Sequence, residues 1–281
     1  MDDLVSTAWL AERLGQSGLI VVDASAHLPD AGRDARAEFA QAHIPGARFL
    51  DLETFKDLAS PVPAVLPTAE QFTQRMAQIG IRDGDRVVIY DDSVVKTSAR
   101  AWFIFRMHGF EDVAILDGGL GKWRAEKRPL ASGEADLPRG AVTPSNGPGA
   151  VRFKADMLAN LESGAEQVVD ARGAGRFTGA EPEIRPGMVS GHIPGSRSLP
   201  FGEVLNADGT FKDAGGIRAA FSDAGIDLDR PVVTTCGSGV TAAVLLFAMH
   251  RLGKGDTALY DGSWSEWGAD PATPKATGPA A

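Results

Sequence analysis

The chain has a single cysteine, Cys236, in a setting that suits a nucleophile. It is followed by Gly237-Ser238-Gly239-Val240 and by Thr241, where a helix is predicted to begin. Glycines let the backbone curl so that N–H groups point inward, and with the helix N-terminus these donors favour negative charge at the loop centre. We therefore predict that Cys236 is catalytic and reacts as a thiolate. The predicted substrate-binding loop residues are Gly237, Ser238, Gly239, Val240 and Thr241. The alternative is a buried structural cysteine, the usual role of a lone cysteine in an apolar strand.

Alternating strands and helices are predicted to position this loop. In the second half, the pattern predicts strand Val232–Thr235, helix Thr241–Leu252 and strand Thr257–Tyr260. In the first half, a helix is predicted to begin at a capping box formed by Thr68 and Gln71 and to end at Gly80. It is followed by strand Arg86–Tyr90, helix Ser98–His108 and strand Val113–Leu116. This alternation predicts parallel sheets flanked by helices, with ligands at the carboxyl ends of the strands.

The two halves of the chain are related by duplication. Four motifs recur in the same order and at a nearly constant offset: residues 43–48 and 192–197, 21–24 and 168–171, 86–90 and 231–235, and 117–119 and 261–263. We predict a non-catalytic domain over residues 1–130, a linker over 131–150 and a catalytic domain over 151–281. The linker and the tail from Pro271 are rich in glycine and proline, and the tail is predicted to be loosely ordered.

Residues present in only one half are the better candidates for chemistry. His43 and His192 occupy equivalent places, so we predict that both shape a shared turn, and the duplicated aspartates receive the same interpretation. The position equivalent to Cys236 is Asp91, and the loop from Asp91 to the next helix is longer. The first domain is therefore predicted to do no chemistry.

The composition limits the partners and the setting. A net charge of -9 argues against a nucleic-acid surface, because phosphate binding needs clustered lysine and arginine. One cysteine forms no internal disulfide, which suits a reducing compartment. The N-terminus has no basic region before an apolar run, and no stretch approaches ~18 consecutive apolar residues. We expect a cytoplasmic protein without membrane association. The motifs predict no metal site and no cofactor.

The segment Cys236–Ala242 resembles the active-site loop of 3-mercaptopyruvate sulfurtransferases, which are two-domain members of the rhodanese superfamily. The duplicated HIPG turns, the DGSWSEW segment at 261–267 and the stretch 175–185 are similar to that family as well. The resemblance implies an α/β fold of two tandem rhodanese-like domains, each a parallel sheet flanked by helices. It also implies that sulfur moves from a small-molecule donor, mercaptopyruvate, to Cys236 as a persulfide. The acceptor would be cyanide or a thiol, such as a thioredoxin-like protein or a low-molecular-weight thiol.

In that family, two arginines hold the substrate, and they match Arg176 and Arg185 here. A planar guanidinium pairs bidentately with a carboxylate, which agrees with this role. Pro29 stands near the place of Arg176 in the first half, but Arg36 stands at the place of Arg185, so a structural role for Arg185 remains open. A family histidine proposed to act in a relay aligns with Ala64, so no histidine-dependent relay is predicted.

Three other functions compete with this interpretation. Thiosulfate sulfurtransferases tend to have basic residues directly after the cysteine, whereas Gly237 and Ser238 are neutral. Cysteine phosphatases need an arginine at the position of Ala242 to clamp phosphate. A non-enzymatic sulfur-relay module is the remaining alternative, and the intact cysteine loop argues against it.

Overall fold

The computed structural model describes residues 1–134, 137–145, 147, 150–183 and 187–280. The strands are β1 (Leu4–Val5), β2 (Leu19–Asp23), β3 (Arg48–Phe49), β4 (Arg86–Tyr90), β5 (Val113–Leu116), β6 (Val151–Arg152), β7 (Gln167–Asp170), β8 (Arg197–Ser198), β9 (Val232–Thr235) and β10 (Thr257–Tyr260). The α-helices are α1 (Thr7–Ala11), α2 (Ala35–Gln41), α3 (Ala69–Gln78), α4 (Thr97–Met107), α5 (Gly119–Ala125), α6 (Lys154–Ser163), α7 (Ala174–Thr178), α8 (Ala214–Asp223), α9 (Val240–Arg251) and α10 (Ser263–Trp267). Within these described residues, none of the helices is both long and apolar enough to cross a membrane.

The strands form two five-stranded sheets of the same topology. Their orders are β1-β5-β4-β2-β3 and β6-β10-β9-β7-β8, and every neighbouring pair is parallel. The inner strands β4 and β9 are almost wholly buried, as expected when helices cover both faces of a parallel sheet. The predicted α/β fold of two similar parallel-sheet domains is confirmed.

The chain divides into two compact units. One comprises Met1–Leu58, Leu66–Pro148 and Ala207–Phe211, and the other comprises Ala59–Val65, Gly149–Asn206 and Lys212–Ala281. The boundary between the two larger segments falls inside the predicted linker. Each unit also takes a short segment from the other half of the chain, which no local sequence pattern could indicate.

Each unit has its own apolar core against one face of its sheet. In the first, Val88 and Tyr90 lie two residues apart on β4 and share a cluster with Phe39 of α2 and Trp123 of α5. In the second, the corresponding cluster contains Val233, Tyr260 and the tryptophans of α10, which is the helix beside the Cys236 loop. The site is therefore built on a fully packed sheet and helix.

The predicted element boundaries agree closely with the structure. Thr68 and Gln71 form the capping box, with nitrogen-to-oxygen distances of 3.2 Å from Gln71 N to Thr68 Oγ1 and 2.9 Å from Thr68 N to Gln71 Oε1. Helix α3 ends before Gly80, whose φ is 75°. Helices α4 and α9 each begin one residue earlier than predicted. The physical reason is that Lys96 and Gly239 adopt a left-handed conformation and turn the chain directly into the helix.

The tail from Pro271 is held in place by hydrogen bonds, so the prediction that it is loosely ordered was wrong. Trp267 Nε1 donates to Pro274 O at 2.8 Å, and Ala276 pairs with His192 through backbone hydrogen bonds of 2.9 and 3.0 Å. Thr273 is buried as well. A polar, proline-rich composition does not prevent a segment from being fixed by backbone hydrogen bonds to residues far away in the sequence.

Candidate active site

Cys236 lies directly after β9 and is 2% exposed. The loop after it leads into α9, and Gly239 makes the turn with a φ of 78°. This left-handed conformation is strained for residues with a Cβ atom, which explains the glycine at this position. The cysteine therefore lies at the carboxyl end of a central strand and beside the N-terminus of a twelve-residue helix, as the sequence predicts.

Two carbonyl groups of the loop are held by α10. Cys236 O accepts the Trp264 N–H at 2.9 Å, and Gly237 O accepts the Ser265 N–H at 2.9 Å and its hydroxyl at 2.6 Å. In a planar trans peptide, the carbonyl and the following N–H point in opposite directions. The N–H groups of Gly237 and Ser238 are therefore directed away from α10.

Ser263 fixes the first residue of the loop. Its hydroxyl oxygen accepts the Cys236 N–H at 3.3 Å and donates to Tyr260 O at 2.9 Å. It does so from a left-handed conformation with a φ of 49°, which costs a residue with a Cβ about 1–2 kcal/mol. The equivalent residue in the first unit is Gly119, with a φ of 57°. The hydroxyl therefore occurs in one half only, a difference within the duplicated segment that could have marked Ser263 as a candidate from the sequence.

Arg176 lies on the short helix α7 and reaches the Cys236 loop. A Cβ atom added to Gly237 would lie 3.2 Å from Arg176 Nη2, so the guanidinium lies against the loop backbone. The side chain is 22% exposed, and its Nε and Nη2 donate to Glu183 Oε2. The N–H groups of Nη1 take no part in this ion pair with Glu183. The structure thus places the Arg176 guanidinium beside the loop that begins at Cys236.

Glu183 is shared with a second arginine, Arg172, which the sequence analysis did not select. Arg172 Nη1 donates to Glu183 Oε1, while Nε and Nη2 donate hydrogen bonds of 2.7–3.1 Å to the Asp170 carboxylate. Arg172 Nη2 also donates to Gly191 O at 2.7 Å, and the guanidinium lies 4.6 Å from the centre of the Trp264 ring. The side chains of Arg172, Glu183 and Asp170 are each 1% exposed.

Cys236 is electrostatically coupled to this buried cation. Burial opposes the charge on Arg172, but the carboxylates of Asp170 and Glu183, together with Cys236, outweigh it and raise the pKa of Arg172. A signal for Arg172 was present in the sequence, since Ser25 stands at its place in the first half.

Comparison with known proteins identifies the family of the chain. The rhodanese-like domain family matches residues 6–126 and 154–270. The chain belongs to the rhodanese family. Its two rhodanese domains carry the similar parallel sheets described above, and the domain predicted to be catalytic contains Cys236.

Relatives within the rhodanese family cover almost the whole chain. A 3-mercaptopyruvate sulfurtransferase of Mus musculus is 42% identical, with 94% of this chain and 91% of the relative covered. A thiosulfate sulfurtransferase of Cricetulus griseus is 40% identical over the same shares of the two chains. The crystal structure of the 3-mercaptopyruvate sulfotransferase SseA from Escherichia coli matches with a TM-score of 0.86 and 35% identity, covering 94% of this chain and 99% of that one. The predicted resemblance and the predicted sulfurtransferase class are confirmed.

The first rhodanese domain holds a carboxylate where the second holds the sulfur. Asp91 is 3% exposed, and its two oxygens accept the N–H groups of Ser93 at 3.0 Å and Ser98 at 2.8 Å. Asp91 O accepts the Leu120 N–H at 3.0 Å, the counterpart of the Cys236–Trp264 bond. In this domain, the loop directs backbone donors onto an anionic side chain at the position after the strand.

The remaining predicted residues fall into two groups. Ser238, Val240 and Thr241 lie in the loop and the first turn of α9, and each is partly exposed. Arg185 lies outside the described residues.

The paired histidines have equivalent surroundings in the two domains. His43 stacks on Phe39 with ring centroids 4.1 Å apart, and His192 stacks on Phe177 at 3.8 Å. The Nδ1 atom of each is hydrogen-bonded to the carbonyl of the residue on which it stacks, at 2.7 and 2.8 Å. Both are buried and shape the equivalent turn in each domain.

Proposed function

We propose that the protein moves sulfane sulfur from 3-mercaptopyruvate to a thiol or cyanide acceptor through a persulfide on Cys236. The observation that carries this proposal is the Arg176 guanidinium against a neutral loop that begins at the only cysteine of the sequence. The names of the relatives support a sulfurtransferase, and the local chemistry supports the carboxylate donor.

The reaction needs a nucleophilic sulfur and a carbon leaving group. The Cys236 thiolate attacks the donor sulfur, an S–S bond forms, and the C–S bond breaks with its electrons on carbon. The carbon fragment is the enolate of pyruvate, which takes up a proton and leaves as pyruvate. In the second half-reaction, an acceptor thiolate or cyanide attacks the outer sulfur, and Cys236 departs as the thiolate. No external oxidant or reductant enters either step, so atoms and electrons balance.

The loop supplies fixed dipoles for the sulfur anion. The Asp91 carboxylate of the first domain accepts the N–H of Ser98, the second residue of α4, and Thr241 is the equivalent residue of α9. We assign the loop residues from Gly237 to Thr241 to binding around the transferred sulfur. Preorganised N–H groups stabilise a developing anion more effectively than water does, because they need no reorientation.

The arginines are assigned to the donor carboxylate. Arg176 can present its Nη1 edge to a carboxylate while Glu183 holds its Nε side. Arg185 is proposed for the same carboxylate or for the adjacent carbonyl, on the resemblance alone. Ser238 supplies a hydroxyl that can donate to the transferring sulfur or to the substrate carbonyl.

Identity to relatives does not choose the donor, because the mercaptopyruvate and thiosulfate enzymes match at 42% and 40%. Local charge does. Thiosulfate carries two negative charges close to its reacting sulfur, whereas mercaptopyruvate carries one on a remote carboxylate. Gly237 and Ser238 add no charge, and Glu183 partly neutralises Arg176. A loop of this kind favours the monoanion, and thiosulfate sulfur transfer is the second candidate.

The domain roles follow the same reasoning. We assign catalysis to residues 151–281, a non-catalytic role to residues 1–130 and the connection to residues 131–150. The Asp91 carboxylate supports a first domain without a nucleophile, because it already occupies the backbone donors of its loop. The acceptor is assigned to thioredoxin-like proteins or low-molecular-weight thiols. A single cysteine that must cycle through a thiolate suits a reducing compartment such as the cytoplasm.

Intact-mass measurement tests the covalent step. After treatment with 3-mercaptopyruvate, the mass should rise by one sulfur atom and return after cyanide or a dithiol is added. Cys236→Ser should show neither the gain nor turnover, and wild-type activity in that variant would refute the mechanism. Steady-state rates with both donors, at matched pH, salt and acceptor, test the substrate. A higher kcat/KM with thiosulfate would overturn the mercaptopyruvate assignment.

A further inference from the structure

The proposed reaction leaves two buried charged residues without a role. Arg172 and Glu183 each have side chains that are 1% exposed, and they form an ion pair. Burying charges is expensive unless each is matched by close partners, and a hydrophobic replacement is often no less stable. Stability alone is therefore a weak reason for this pair.

Glu183 joins two guanidiniums of different exposure, 1% for Arg172 and 22% for Arg176. Its Oε1 is bound to Arg172, which is itself held by Asp170, Gly191 O and the Trp264 ring. Its Oε2 is bound to Arg176, the partly exposed arginine beside the loop. A carboxylate whose one oxygen is anchored in this way cannot rotate freely, so its other oxygen is presented at a fixed place.

Among the residues that the structure describes, this cluster of Asp170, Arg172 and Glu183 has no counterpart at the equivalent turn of the first domain. Asp23 and Asp170 make the same turn, in which Oδ1 accepts the N–H two residues later at 2.9 Å. That later residue is Ser25 in the first domain and Arg172 in the second. The anchor is therefore not required by the turn or by the sheet, and it is present in the domain that contains Cys236.

We propose that Glu183, anchored by Arg172, is a positioning residue that holds the Arg176 guanidinium against the Cys236 loop for an anionic reactant. A mobile arginine would have to be ordered whenever an anion binds, and that ordering costs conformational entropy. The inference rests on the proposed role of Arg176 towards anions, but not on which donor supplies the sulfur.

Alkylation of Cys236 tests the proposal without any sulfur donor. Iodoacetate is an anion and iodoacetamide is its neutral analogue, so the ratio of their rate constants reports the positive charge presented at the sulfur. Arg176→Ala should lower this ratio by at least about tenfold, which corresponds to about 1.4 kcal/mol, because it removes a charge-assisted contact to the anionic reagent. Glu183→Asp keeps the charge, but its shorter side chain cannot reach both arginines. Glu183→Gln keeps the shape but pairs poorly with two cations.

The proposal predicts that both Glu183 variants lower the ratio toward the Arg176→Ala value. It also predicts no further fall when Glu183→Gln is combined with Arg176→Ala, because the effect passes through Arg176. Glu181→Gln, which removes a charge from an exposed residue of the same segment, is the matched control and should keep the wild-type ratio.

Simple electrostatics gives the opposite sign, because loss of the Glu183 charge alone would raise the ratio for an anion. A raised or unchanged ratio in Glu183→Gln and Glu183→Asp would overturn the proposal, as would an equal fall in the Arg176→Ala background. If Glu183→Gln does not fold, the ratio measured for Glu183→Asp tests the proposal by itself, because that variant keeps every charge of the cluster. The measurement remains valid even where the persulfide test fails, so the two failures are distinguishable.

Discussion

Replacement of Arg176 by alanine should lower kcat/KM for 3-mercaptopyruvate by about 10- to 150-fold. The truncation removes a guanidinium that lies 3.2 Å from a Cβ position on Gly237 and whose Nη1 edge is directed to no described carboxylate. One charge-assisted hydrogen bond to the donor carboxylate contributes about 1.5–3 kcal/mol, which corresponds to that range. The change does not leave Glu183 as an isolated buried charge, because Arg172 still binds its other oxygen. The loss in kcat/KM should therefore report donor binding rather than a collapsed site.

Steady-state kinetics with a fixed thiol acceptor would measure this loss. Arg176→Lys is the matched variant, because it keeps the positive charge but loses the planar bidentate geometry, and it should fall between alanine and the wild type. Alkylation by iodoacetamide, a neutral reagent, should proceed in all three proteins and confirm that Cys236 is intact. If Arg176→Ala kept kcat/KM within about twofold of the wild type, the reasoning from geometry would be refuted.

Three further predictions concern the loops and the acid dependence of folding. Asp91→Ala should cost about 1.5–3 kcal/mol of unfolding free energy in denaturant titrations, because backbone donors lose a buried acceptor, while persulfide formation in the folded protein persists; loss of the persulfide would contradict a non-catalytic first domain. The double variant Gly237→Arg, Ser238→Lys should shift the ratio of kcat/KM values toward thiosulfate, and an unchanged ratio would refute the charge argument for donor choice. Burial lowers the pKa of His108 below its ordinary value of 6.5, against the hydrogen bond with Pro67 O. The unfolded chain therefore binds this proton more readily, so stability should decrease as the pH falls through about 6.5, and His108→Phe should reduce that decrease in urea titrations; an identical pH dependence in the variant would exclude His108 as its source.

Local sequence patterns predicted the regular elements well, because strand and helix signals depend on residues close together in the chain. Strands such as Arg86–Tyr90 and Val232–Thr235 agree with the structure residue for residue. The starts of α4 and α9 were predicted one residue too late, and for α4 the reason is that the left-handed Lys96 leaves no sequence signature. The tail from Pro271 was predicted wrongly for a related reason, because the backbone hydrogen bonds that fix it are made with distant residues such as His192.

The sequence by itself determined the duplication, the position of the only cysteine between a strand and a glycine-rich helix start, and the absence of charge at positions 237 and 238. These properties are carried by neighbouring residues, so no fold is needed to see them. The tertiary structure decided which charges surround the sulfur. Arg172, Glu183 and Arg176 come from β7, α7 and the segments that follow them, while Cys236 follows β9, and the pairing of these two strands brings them together. Likewise, only the pairing of β9 with β10 carries α10 and the Ser263 hydroxyl to the Cys236 backbone. Parallel pairing places the carboxyl ends of strands from distant parts of the chain side by side. Which strands become neighbours cannot be seen in the local order of residues, because it depends on the fold of the whole domain.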